Sequence, residues 1–457
     1  MSETAVNTGD FGSGSVWKHI LNLAIPMLAA RAVQMLYSVV DRIYIGHMPD
    51  ASGMALTGLG LTFPIITLIS AFTLLFSMGG SPLFSMARGE GNEKQARLIQ
   101  SLTAVLLLGS SVILTILFLA GMKPLIFLFG ATEESWPYAR DYLSLFLLGT
   151  PLSMFATGMN TFINAQGYAR SGMMTVLSGA IVNIALDPLF IFTFHMGIAG
   201  AALASILAQL VSFLWVFFFL WKRTSLRLDF HQNFARPALI GKILKLGTAS
   251  FIAYASNSVV QAVSNFSISL LDQQLYIGVL TIINSLREIL FLPMDAVTSS
   301  CQPVISYNYG ANKTERIWKA IRFTTISTVC WLLFAWVLIM TRPQIFLSLF
   351  TPDGQLIELG AQAVRTYYFG FFMMAFMMTG QSVFVALGFS GRASFFSLLR
   401  KIIIQVPLMF ILPLTFHLGV TGVLLSEPIS NWIGGLASYF CMIWTVRHHL
   451  KPADQRL

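Results

Sequence analysis

Pro82-Leu83-Phe84-Ser85-Met86-Ala87-Arg88-Gly89 and Pro303-Val304-Ile305-Ser306-Tyr307-Asn308-Tyr309-Gly310 are two versions of one phrase, 310−89 = 221 positions apart. The same spacing separates Ala165-Gln166-Gly167 from Ala386-Leu387-Gly388. Phe194-His195-Met196-Gly197-Ile198-Ala199-Gly200 is echoed by Phe416-His417-Leu418-Gly419-Val420-Thr421-Gly422 at 417−195 = 222. Ile20-Leu21-Asn22-Leu23-Ala24 matches Ile243-Leu244-Lys245-Leu246-Gly247. A duplication of this length in a hydrophobic chain marks a two-lobed transporter, with substrate and coupling-ion sites at the repeat interface or inside the lobes.

Composition names the solvent. Hydrophobic residues make up 56% of the 457 and charged residues 10%, against roughly 25% charged in soluble domains. Apolar stretches long enough to cross a bilayer as helix run over about 17–45, 54–85, 98–121, 139–167, 172–194, 198–221, 245–271, 276–306, 323–341, 358–387, 394–415 and 420–446. This predicts an all-α polytopic membrane protein of about twelve transmembrane helices in two six-helix repeats. An even number of spans per repeat inserts both halves the same way up, so the repeats are parallel. The layout expected is a disordered cytoplasmic tail over 1–15, an N-terminal lobe over 16–221, a cytoplasmic linker over 222–244, a C-terminal lobe over 245–446 and a cytoplasmic tail over 447–457.

The charge follows the same plan. Arg88, Lys94, Arg97, Lys222, Arg223, Arg227, Arg236, Lys242, Lys313, Arg316, Lys319, Arg322, Arg447, Lys451 and Arg456 fall in alternate loops, whereas the intervening loops hold chiefly Lys123, Arg140 and Arg342. Basic loops stay cytoplasmic, so both termini are expected inside. Topology therefore accounts for the net charge of +9, and no folded basic face remains for nucleic acid. No cleavable signal peptide is recognised at the N-terminus. Cys301, Cys330 and Cys441 are unclustered in predicted spans and read as small core hydrophobes. His195 and His417 read as turn residues kept by the duplication.

Acidic residues inside spans are functional hypotheses by default. Gln34, Ser38 and Asp41 share one face of the first helix, with Tyr37 beside them. Asn183 and Asp187 lie one turn apart in Asn183-Ile184-Ala185-Leu186-Asp187-Pro188, and Pro188 frees the carbonyl of Ile184 and bends the helix. Ser205 and Gln209 form another one-turn polar pair. Two carboxylates, an amide and a hydroxyl on neighbouring helices can hold sodium through oxygen ligands at Asp41, Asn183 and Asp187, and can equally bind a proton. The second half does not repeat the acids: Asp41 maps near Asn265, and Asp187 maps to an apolar residue around Leu408. It carries instead Arg287-Glu288, read as a self-neutralising pair, and Glu427-Pro428, with Glu427 and Glu288 as candidate substrate or network residues. Pro26, about four turns before Asp41, is a candidate hinge. Met-rich patches such as Met373-Met374 and Met377-Met378 can line an adaptable cavity. No phosphate-cradling loop followed by Gly-Lys-Ser/Thr is present, so the energy source expected is an ion gradient. One charge crossing ~100 mV is worth ~2.3 kcal/mol. Neither a catalytic set nor a cofactor is expected.

Val40-Asp41-Arg42-Ile43-Tyr44-Ile45-Gly46, Asn183-Ile184-Ala185-Leu186-Asp187-Pro188-Leu189, Gly197-Ile198-Ala199-Gly200-Ala201-Ala202 and Gln302-Pro303-Val304-Ile305-Ser306-Tyr307-Asn308-Tyr309-Gly310-Ala311 run in one order across both halves. In them the chain resembles the bacterial multidrug and toxic compound extrusion (MATE) family. The resemblance implies a V-shaped pair of six-helix bundles that exports bulky, often cationic, amphiphilic compounds in exchange for protons or sodium. It implies a cation site at Asp41, Asn183 and Asp187, with Ser205 at the family's hydroxyl position and Tyr37, Tyr142 and Asn160 in the polar network. The protein is expected to be a monomer in a bacterial cytoplasmic (inner) membrane, with small amphiphilic substrates and the lipid bilayer as its partners. Two other readings compete. A lipid-linked oligosaccharide flippase of the same superfamily would use the intramembrane cations Arg31, Arg287 and Arg365. A membrane-embedded enzyme would need a clustered catalytic set.

Overall fold

The structure, a computed structural model, describes residues 10–46, 52–129, 131, 133–232, 234, 236–271, 275–348 and 354–450, with backbone alone at 37–43, 45–46, 52–57, 354–356 and a few positions between 258 and 281. Every regular element among these is helical. The helices are α1 (Val16–Gly46), α2 (Ser52–Gly89), α3 (Glu93–Ala120), α4 (Met122–Leu128), α5 (Trp136–Ala165), α6 (Ala169–Pro188), α7 (Gly197–Phe218), α8 (Pro237–Ser269), α9 (Leu275–Gly310), α10 (Thr314–Thr341), α11 (Pro343–Ser348), α12 (Gly354–Tyr368), α13 (Met374–Ala386), α14 (Ser390–Leu398), α15 (Val406–Leu414) and α16 (Gly419–His449). Leu189–Thr193 extends α6 as a π-turn, and the π-turn Leu399–Gln405 joins α14 to α15. Among the described residues ten segments are long and apolar enough to cross a membrane. With α9 (36 residues) and α16 (31 residues), whose interiors carry charge, they make up the expected twelve.

The chain divides into two units, one built on Ile25–Gly247, the other on Phe11–Ala24 with Thr248–Leu457. In the first, α2, α3, α5 and α7 enclose a core that includes Ile99, Leu107, Leu143, Phe155 and Phe162. Three polar side chains anchor the returning linker. Gln100 donates to the Leu226 carbonyl at 3.3 Å, Gln166 donates to Gln100 at 3.1 Å, and Ser101 accepts from the Asp229 backbone N–H at 3.0 Å. The His231 backbone N–H, and then the Gln232 side chain, donate to Asp229 and hold its carboxyl below the ordinary aspartate range. In the second unit, α9, α10, α12, α13 and α16 surround Ile283, Leu332, Val364, Tyr368 and Ala375. The tail expected over 1–15 lies outside the described residues up to residue 9. Beyond it the chain is packed, not loose: Phe11 is buried, and its carbonyl accepts from Asn308 at 3.0 Å and Arg316 at 2.8 Å.

The duplication is written into the backbone as well as the side chains. His195 and His417 adopt φ of 52° and 53°, and Gly197 and Gly419 adopt 58° and 54°. Gly167 and Gly388 adopt 91° and 84°. Both histidines thus hold a left-handed turn conformation that non-glycine residues rarely take, as expected of turn residues.

Candidate functional site

The first unit gathers its polar groups where α6 meets α7. The i, i+4 spacing stacks Asn183 over Asp187, and the Asn183 Nδ2 donates to Asp187 Oδ1 at 3.2 Å. The same nitrogen reaches Ser205 Oγ on α7 at 3.5 Å. Asp187 is fully buried and Asn183 nearly so. Pro188 cannot donate to the turn before it, and the helix widens there into the Leu189–Thr193 π-turn, a distortion common at functional sites. Asn183 Oδ1 and, further along α7, Gln209 Oε1 have no hydrogen-bond partner among the described residues. The surplus is thus in amide oxygens, set beside the Asp187 carboxylate and the Ser205 hydroxyl. A buried carboxylate requires a compensating charge or a proton, and an oxygen-only donor set suits a hard cation.

An apolar and aromatic wall lies alongside. Tyr142 is buried with Leu59, Ile191, Ile198, Ala201 and Ala202, and it stacks on Phe146 at 6.0 Å. Tyr44 meets Phe192 edge-on at 6.2 Å. Asn160 donates to the Gly172 carbonyl at 3.2 Å, a bond to backbone and not to Asp187. Gln34 is exposed and Pro26 is buried within α1. Asp41 and Tyr37 sit in α1, but their side chains lie outside the described residues. No group of three or more His, Cys, Asp or Glu that could hold a metal occurs among the described residues.

The second unit holds a larger polar cluster, much of which sequence reasoning does not single out. Glu427 on α16 is buried between Arg400 and Arg287, at 3.2 Å and 3.9 Å. Gln405 donates to its other oxygen. Arg400 also donates to Asn431 at 2.7 Å, Lys401 donates to Asn257, and Arg287 reaches the Tyr367 hydroxyl at 3.4 Å. Arg287 and Glu288 do not neutralise each other. Adjacent residues on a helix point about 100° apart, so Arg287 faces Glu427 while Glu288 is exposed. Glu427, which has no neighbour in sequence to pair with, finds its partners across the fold. Two adjacent cations inside the apolar span over 394–415 are the signal that could have found Arg400 and Lys401. Asp295 on α9 is a further missed acid, lining a separate cavity with Ser250, Ser299, Gln302 and Gln381. Of the other intramembrane cations, Arg365 is exposed. Of the cysteines, Cys301 is buried and Cys330 is exposed.

The family model MatE matches residues 26–189 and 249–411, one match per repeat. Curated relatives include "Multidrug export protein MepA" of Staphylococcus haemolyticus, 24% identical over 446 residues, with 96% of each chain covered. Another is the "FAD transporter" of Shewanella oneidensis, 24% identical over 459 residues, with 94% of each covered. Among solved structures, an outward-facing multidrug resistance MATE family transporter of the MOP superfamily superposes with a TM-score of 0.90 at 23% identity, covering 98% of this chain and 99% of its own. A MOP superfamily transporter from Pyrococcus furiosus, described as having a binding pocket of reverse polarity, superposes with a TM-score of 0.91 at 23% identity, covering 98% and 100%.

Proposed function

Since this chain belongs to the MatE family, a family of multi-pass membrane transporters, we propose that it is a cation-coupled antiporter. In this reading it exports bulky amphiphilic, often cationic compounds across a bacterial cytoplasmic membrane by alternating access. The observation that carries the proposal is the Asn183–Asp187–Ser205 set on α6 and α7, in which Asn183 and Asp187 are buried. A proton or sodium ion is cargo here. Asp187, with Asp41 as its partner on α1, takes the ion, and the Asn183 and Ser205 oxygens complete its surroundings. The ion drives a conformational change only by binding two states unequally, and a buried carboxylate supplies that difference. The relatives named as multidrug exporters support the substrate class. The flippase reading has less support, because Arg365, one of its three candidate cations, is exposed.

The test is efflux of a fluorescent cation from proteoliposomes under an imposed proton or sodium gradient. The wild-type chain is expected to respond to one gradient, and Asp187→Asn to neither. Transport by Asp187→Asn at the wild-type rate would overturn the first-unit coupling site. Orientation is tested by single cysteines at Ser225 and Gln344 in a chain from which the exposed Cys330 has been removed. Labelling from opposite faces of the membrane is expected, with Ser225 cytoplasmic.

A further inference from the structure

One cavity of the second unit is lined by more positive charge than its one lining carboxylate can balance. Arg287, Arg400 and Lys401 all line a single cavity, and Glu427 is the one carboxylate among the described residues lining it. Even with Lys401 set aside, two guanidiniums share one carboxylate, and both ion-pair contacts fall on the same oxygen, Oε1. Burying an unpaired charge is costly unless a counter-charge accompanies it. The donor side is also in surplus. Arg400 Nε, on a side chain only 2% exposed, has no hydrogen-bond partner among the described residues. The neighbouring Asn431 Nδ2 has none either. The cavity volume is ≈ 20 Å³, room for about one water-sized species.

We propose that this cavity binds one compact monoanion, held by the guanidinium of Arg400 together with Arg287 and the Lys401 ammonium. Hydrogen bonds from charged donors are the strong ones, and a planar guanidinium with a free Nε–H presents an edge suited to a halide or to a carboxylate oxygen. The anion neutralises the surplus that Glu427 leaves. The same contacts serve a free inorganic ion and the carboxylate head of an anionic substrate. The site is independent of the cation site in the first unit and does not rest on the proposed exchange.

The probe is bromide on the full-length protein. Crystals soaked in sodium bromide are expected to show an anomalous peak between Arg400 and Lys401. In detergent, bromide is expected to raise the melting temperature saturably relative to gluconate at equal ionic strength. Two charge changes should move the bromide affinity in opposite directions. Lys401→Gln removes one cation and should weaken it about tenfold or more, whereas Glu427→Gln removes the competing anion and should strengthen it by a similar factor. If either variant fails to fold, the wild-type peak and saturation curve still decide. Displacement of bromide by a short alkyl carboxylate would assign the site to a substrate head group. Bromide that resists displacement would assign it to an inorganic ion. A wild-type protein with no peak in this cavity and no difference between bromide and gluconate would overturn the proposal.

Discussion

Asn183 and Ser205 in the first unit correspond to Gln405 and Glu427 in the second, since 405−183 and 427−205 both equal the 222 that separates the paired histidines. Both pairs are joined by an amide that donates across the same two helix positions. The scaffold is therefore one scaffold, and the charge set on it differs. The first unit places a carboxylate, Asp187, beside its amide and leaves acceptors over. The second has Met409 at that position, moves its carboxylate to the partner helix, and surrounds it with cations and spare donors. Duplication preserved the geometry of a buried polar site and left its sign free to change.

The comparison breaks most visibly at Asp187. Asp187→Asn keeps the shape and removes the group that exchanges charge, so gradient-driven efflux in proteoliposomes should fall by about tenfold or more, to background. Asp41→Asn should do the same. Efflux at the wild-type rate in both would move the coupling group to the second unit. Glu427→Gln makes the opposite comparison. Leaving Arg400 and Arg287 without their carboxylate should destabilise the protein by about 3–5 kcal/mol. This reads as a lower melting temperature in detergent, with more efflux retained than in Asp187→Asn. An unchanged melting temperature would mean the ion pair is not structural.

A third contrast is at Gln166, whose repeat partner is Leu387. Only the first unit receives the linker, so only that position needs an amide: it bonds Gln100 and accepts from the Leu226 N–H at 3.3 Å. Gln166→Leu should cost about 1–3 kcal/mol by leaving buried partners unmade, seen as faster proteolysis within 222–244. Equal proteolysis rates would remove the anchoring role. The smallest effect is expected from Ser205→Ala. Asn183 keeps its bond to Asp187, so about 0.5–1.5 kcal/mol is lost, a few-fold change in the apparent affinity for the coupling ion. Complete loss of transport would mean that the hydroxyl is an indispensable ligand.

Sequence reading reaches some of these features and not others, for physical reasons. Apolar length and the doubled Pro82 and Pro303 phrases reveal the helices and the repeat, because both are local properties of the chain. Asn183 and Asp187 are legible because i, i+4 spacing is itself geometry. Glu427 is legible as an acid within a span, but its pairing with Arg400 is not, because that arises from α16 returning beside a segment about 27 residues earlier. Asp295 is hidden in the same way, within a span whose other cations and acids draw the eye. The mispairing of Arg287 with Glu288 shows the converse: closeness in sequence on a helix is separation in direction.

The π-turn Leu399–Gln405 lies where the repeat spacing lengthens from 388−167 = 221 to 417−195 = 222. A π-turn is one way for a helix to take in an extra residue, and each residue added or removed rotates the remainder of the helix by about 100°. Arg400 stands near its beginning and Gln405 at its end. A loss of three nucleotides here would preserve the reading frame and barely alter the span's hydropathy, yet it would turn one of these two side chains from protein toward lipid. A codon-deletion scan is therefore the genetic probe suited to this segment, and a substitution scan would miss it.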